Sequence, residues 1–180
     1  MRVAERSQGV RRRVGASSDD HHRYGLKIDT RIKKLKEGSY DAIILSLAGI
    51  KYLELENEIS EIFTTEEIIP SAGQGIIALQ CRKNDQKIFS ILKKVNHEET
   101  YKRAHAERNI LKVLEGDCET AVGVHSVIDG QNIIIEAELF SYDGSKRFYE
   151  KKTQKIEKFR EIGKEIGQIL KTKSNNSYKK

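Results

Sequence analysis

The sequence predicts an α/β segment followed by a compact α+β domain, the latter a three-stranded antiparallel sheet with helices on one face. Three observations carry this. Residues 42–45 are continuously apolar and the run is ended by Ala48 and Gly49, as in a strand buried on both faces of a mostly parallel sheet. Beyond residue 120, the strand-like stretches AVGVHSVI, NIIIEAELF and KRFYEKK are separated by Asp129-Gly130 and Asp143-Gly144, pairs suited to the positive φ angles of tight hairpins. Ile156, Phe159, Ile162, Ile166, Ile169 and Leu170 then recur at helical intervals, which predicts a closing amphipathic helix over one face of that sheet.

The remaining elements follow in order. Residues 27–37, KIDTRIKKLKE, place Ile28, Ile32 and Leu35 on one helical face, with Thr30 as cap and Gly38 as stop. The sole proline, Pro70, opens a small-residue stretch through Gly75 that reads as a domain crossing, its GQG a hinge, ahead of a strand-like run at 76–81. GQG lacks both the full dinucleotide fingerprint and the P-loop lysine. Residues 84–95 carry Ile88, Ile91, Leu92 and Val95 at helical spacing. In the next helix Asn96 is the expected cap and Glu99 its capping-box partner. There Tyr101, Ala104, Arg108, Leu111 and Leu114 are expected to share a face, and Gly116 to end the helix. The tail KSNNSYKK reads as disordered from its composition.

The chain has 180 residues, 37% of them apolar and 33% charged, which suits one globular domain or two small ones. No apolar run approaches the roughly 20 residues of a membrane span, so no membrane partner is expected. The start, MRVAERSQGVRRRVG, lacks the apolar core of a secretory signal, and the expected location is cytoplasmic. A net charge of +6 favours an anionic partner. The excess sits at Arg2, Arg6 and Arg11 to Arg13, and at Lys171, Lys173, Lys179 and Lys180. There is no basic-aromatic motif of the known kinds, and no nucleic-acid partner is expected.

Two cysteines are too few for a disulfide framework. Cys81, in an apolar run, reads as core. Cys118 follows a helix C-terminus and is flanked by Asp117 and Glu119, all of which disfavour a thiolate. Spacing alone therefore reads it as buried or incidental, with a Cys-His pairing to His97, His105 or His125 left open. No zinc-ligand spacing is present, and His21 and His22 have no partner at such spacing. Thr30, Arg31, Lys33, Lys34 and Lys36 form a basic group that is either a solvated helix face or a carboxylate-binding one.

Five phrases in order, VGASS, DTRIKKLKEGSYDAIILSLAGIKYL, IPSAGQGIIALQCR, NHEETYKRAHAERNILKVLEGDC and DGSKRFYEKK, resemble the porphobilinogen deaminase (hydroxymethylbilane synthase) family. The resemblance implies a transferase of tetrapyrrole and heme biosynthesis. Such an enzyme joins four porphobilinogen molecules into a linear hydroxymethylbilane, releasing ammonia each time, on a dipyrromethane primer. By the same resemblance Cys118 carries that dipyrromethane through a thioether. Arg31, with Ser17 and Ser18, binds substrate and cofactor carboxylates. The partners are porphobilinogen and linear pyrrole chains, no metal is used, and family members are usually monomeric. The implied architecture leaves 1–13 as an unassigned basic N-terminus. Residues 14–69 are part of a periplasmic-binding-protein-like second domain, 70–90 a crossing into a first domain, and 91–180 the third, cofactor-carrying domain.

The departures from the family pattern are specific. The family's lysine-aspartate segment, with its catalytic aspartate, has no counterpart here. Asp19, Asp20, His21 and His22 occupy positions where leucine and two arginines are usual, and Tyr52 stands where an arginine is typical. Asp117 replaces a glycine and Ala121 a common proline. The expectation is that these 180 residues alone turn over little or nothing. The alternatives are an inactive truncated or frameshifted remnant, or a fragment needing a separate first domain.

Overall fold

The structure, a computed structural model, describes residues 28–115 and 120–180. Among the described residues, five α-helices, two short 3-10 helices and a three-stranded antiparallel sheet make it a mixed α and β chain. The chain divides into two units, Met1–Thr64 and Thr65–Lys180.

In the first unit, α1 (Ile28–Lys36) has Asp29 in its first turn and Lys33, Lys34 and Lys36 in its last, which matches the polarity of a helix dipole. Thr30 lies inside α1 and is not its cap. The helix stops where Gly38 takes φ +76° and donates its N–H to Leu35 O at 3.0 Å, a conformation glycine adopts without steric cost. Ala42 and Ile43 are buried, yet the expected strand at 42–45 is reduced to a single β-bridge at Ala42. Ala48 and Gly49 belong instead to α2 (Leu47–Tyr52), capped by Ser46 Oγ, which accepts from Gly49 N at 3.3 Å. No parallel sheet is found among the described residues.

In the second unit, residues 76–81 join no strand ladder, contrary to the expectation, and Ile77 is 87% exposed. An apolar run supplies strand propensity, but a strand exists only through a neighbour for its backbone groups. The helix expected at 84–95 is α3 (Gln86–Val95), capped by Asp85, and none of its residues is buried. Next, α4 (Glu98–Leu114) is capped by His97, whose Nδ1 accepts from Thr100 N, and not by Asn96. Asn96 is committed elsewhere: it ends α3 and donates its amide to Glu98 Oε1 at 2.8 Å. The buried face of α4 is also not the expected one. Ala106, Glu107, Asn109, Ile110 and Leu114 are buried, whereas Tyr101 and Arg108 are exposed. Tertiary partners of Glu107 and Asn109 draw these polar residues inward.

The sheet follows the sequence closely. Its strands β1 (Val122–Asp129), β2 (Asn132–Phe140) and β3 (Arg147–Lys155) lie in the order β1-β2-β3. Asp129 pairs with Asn132 across a two-residue turn in which Gly130 has φ +55°. In the β2–β3 loop Asp143 Oδ1 accepts from Ser141 Oγ at 2.6 Å and from Ser145 N at 3.0 Å. The hydroxyl of Ser141, followed by Ser145, holds that carboxyl down to about 2. Ile133, Ile135, Ala137 and Leu139 alternate into the core, and α4 and α5 (Phe159–Ser174) pack against that one face.

The two helices approach closely because of Gly163 and Gly167. A Cβ at Gly163 would collide with Ala106 O, and one at Gly167 would stand 2.8 Å from Val113 Cβ. The tail is not free chain. Beyond α5, Tyr178 is 3% exposed, and Tyr142 N donates to Ser177 O at 2.8 Å.

Candidate functional site

Cys118, Ser17, Ser18, His21, His22 and Gly116 lie outside the described residues. The flanks of the cysteine segment are described, and both are anchored. On one side α4 ends at Leu114, and Glu115 turns into the left-handed region at φ +53° with its N–H on Leu111 O at 3.0 Å. The last carbonyls of a helix need partners from outside it. Here Tyr178 Oη donates to Leu114 O at 2.9 Å and Lys171 Nζ to Val113 O at 3.3 Å. On the other side Phe140 N donates to Ala121 O at 3.0 Å and Val122 pairs with Leu139 at the start of the β1–β2 ladder.

The charge at the end of α4 is balanced by residues far away in sequence. Lys171 Nζ and Lys179 Nζ each reach Glu115 Oε2 at 3.1 Å. Hydrogen bonds from Lys179 and then Lys171 hold the Glu115 carboxyl below its ordinary range. Two ammonium groups at a helix C-terminus oppose its negative end, and the Glu115 carboxylate they share offsets one of their two charges.

The three described histidines stand at different places in the second unit. His97 caps the far end of α4, about 25 Å away along a 17-residue helix. His105 lies between Tyr101, ring centroids 4.3 Å apart, and Phe159, 6.2 Å away, about 15 Å along the axis from Glu115. His125 sits mid-strand on β1 opposite Glu136. Among the described residues no group of three His, Cys, Asp or Glu side chains is arranged to hold a metal ion.

Arg31 lies on α1 and is half-buried. Its neighbours on the helix are paired, Lys33 with Glu37 at 3.7 Å and Lys36 with Glu58 at 2.6 Å. Arg31 has no such partner among the described residues. A cavity of about 390 Å³ is lined by apolar residues such as Ile32, Leu35, Ile43 and Ile50 together with Asp41, Lys36 and Glu58; its one cation, Lys36, is already paired with Glu58, so the lining does not suit a polycarboxylate. Cys81 is a half-buried free thiol.

Sequence reasoning missed Tyr178, Lys171 and Lys179 at this end of α4, since nothing local links residue 115 to residues 171–179. It also missed Glu107, although its spacing from Ile110 and Leu114 places it on the same inward face.

Comparison with known proteins bears on both units. Residues 21–90 match the family model described as the dipyrromethane cofactor binding domain of porphobilinogen deaminase, and residues 101–172, which include Cys118, match that of its C-terminal domain. Among curated relatives named porphobilinogen deaminase, that of Prochlorococcus marinus (strain NATL1A) is 36% identical over 142 residues, covering 79% of this chain and 45% of its own length. That of Oceanobacillus iheyensis is 37% identical over 144 residues, covering 79% and 46%. That of Desulforamulus reducens is 35% identical over 143 residues, with the same two shares. The chain thus spans slightly less than half the length of these relatives. With two consecutive domain models of one family matched in order, and relatives this similar across most of its length, the chain belongs to the porphobilinogen deaminase family.

Proposed function

We propose that these residues are the primer-carrying part of an enzyme that condenses four porphobilinogen molecules into linear hydroxymethylbilane with release of ammonia, and that Cys118 is the point of attachment. The observation carrying this reading is the ordered match of both family domains, one of them named for the dipyrromethane cofactor. Cys118 would hold the dipyrromethane covalently: after ammonia or water leaves the pyrrole's methylene group, its sulfur would add to the exocyclic C=C carbon, that π bond breaking as the thiol proton ends on the ring nitrogen. Arg31, together with Ser17 and Ser18, would bind acetate and propionate groups. When bound, the primer supplies a terminal pyrrole on which the chain is extended, so that each extension becomes effectively intramolecular.

What the described residues contribute is position. The end of α4 from which the cysteine segment leaves is held by Tyr178 and by two lysines. Cys118 lies three residues beyond Glu115, within about 11 Å of it by chain reach. A half-buried Arg31 with no ion-pair partner among the described residues suits a carboxylate that must be gripped in one orientation. In the same reading residues 14–69 are part of a periplasmic-binding-protein-like domain, 70–90 a crossing, and 91–180 the cofactor-carrying domain. The enzyme acts in the cytoplasm as a monomer. No helix among the described residues is long and apolar enough to cross a membrane.

The test is intact-mass measurement of the purified chain after exposure to preformed hydroxymethylbilane, with Cys118→Ser alongside. The expected result is a gain of one linear tetrapyrrole, hydroxymethylbilane less the water lost with its hydroxyl group, on the wild type and none on the variant. No gain on either protein, or an equal gain on both, would overturn the assignment.

A further inference from the structure

We propose that Glu107 is a latch fastening residues 69–75 to β1 and α4, so that this segment moves with the C-terminal unit and the chain's joint lies ahead of it. This is independent of the porphobilinogen reading. Glu107 is 3% exposed, and its two carboxylate oxygens serve different parts of the chain. Oε1 accepts from Ser126 N at 3.1 Å and from Ser126 Oγ at 2.6 Å on β1. Oε2 accepts from Gly73 N at 2.7 Å. One turn earlier on α4, Arg103 Nε reaches Ser126 Oγ at 3.4 Å.

A buried carboxylate is tolerated only when its oxygens are hydrogen-bonded, and here three donors from two separate segments do this. The same segment is held at a second place. Val124 N donates to Pro70 O at 2.7 Å, and Gly123 has no room for a side chain, since a Cβ there would lie 2.7 Å from Ile69 O. Ala72 packs against the core. As β1 is the end strand of the sheet, residues 69–73 also cover an edge that would otherwise present unpaired backbone groups. A stretch of small residues and glycines, which in isolation reads as a hinge, is thereby tied down by one inward-facing acid on α4.

Amide hydrogen exchange on the full chain tests this. In the wild type the Gly73 and Val124 amides are expected to be protected to a similar degree. In Glu107→Met, a side chain of similar length without acceptors, Gly73 and Ser126 should exchange about tenfold faster or more, while Ile135 and Ile166 stay at their wild-type rates. The proposal is overturned if Gly73 exchanges at the rate of an unprotected loop in the wild type, a result that needs no variant to fold. An unchanged Gly73 rate in Glu107→Met, or an equal acceleration at Ile135 and Ile166, would also count against it.

Discussion

His105 shows how one side chain ties the helix pair to pH. Burial first, and then the positive charges of Arg160, Lys112 and Arg108, lower its pKa from the ordinary 6.5. The folded chain therefore resists a proton that the unfolded chain accepts, and the stability this group contributes is complete above about pH 6.5 and lost as pH falls below it. The urea midpoint of the wild type is expected to drop between pH 7.5 and pH 5.5 more steeply than that of His105→Gln. Equal slopes would remove His105 from the account. At the same scale the sequence was hardest to read: Asn96 looks the better cap, yet its side chain is engaged by Glu98 and His97 takes the role. Such a choice between adjacent residues turns on contacts that residue type does not specify.

Between elements, the pairing of α4 with α5 depends on two missing side chains. Alanine is normally favoured over glycine in a helix interior by roughly 1 kcal/mol. At Gly163 the added methyl would strike Ala106 O, so Gly163→Ala should instead destabilise the second unit by about 1–3 kcal/mol in urea unfolding. A neutral or stabilising result would mean that the helices do not pack this closely. The tail is a second case. Composition reads KSNNSYKK as disordered, but its one aromatic ring is buried and its hydroxyl caps Leu114 O. Tyr178→Phe should cost about 0.5–1.5 kcal/mol, checked by the same unfolding curve, and no change would show that the cap contributes nothing. The three strands and α5 were legible because their signals are local, in Asp-Gly turns and apolar periods. The buried face of α4 was not, because Glu107 and Asn109 are drawn inward by Gly73, Ser126 and the Arg160 carbonyl, partners distant in the chain.

For the whole molecule, family membership was legible from long motifs in order, and the relatives at 35–37% identity agree with it. The parallel-sheet strand expected at 42–45 and the strand expected at 76–81 were not borne out among the described residues: those stretches have the composition of strands and lack a ladder in which to be strands. The candidate site was half legible. Cys118 and Arg31 could be named from motifs, whereas the lysines and tyrosine that secure the end of α4 are brought there only by folding. The central claim is that this chain carries a pyrrole primer on one particular thiol. Peptide mass mapping after loading with hydroxymethylbilane tests it most directly, because the chain offers just two thiols, Cys81 and Cys118. The account predicts a linear tetrapyrrole adduct on the peptide containing Cys118 and an unmodified Cys81 peptide. An adduct on Cys81, or on neither, would contradict it.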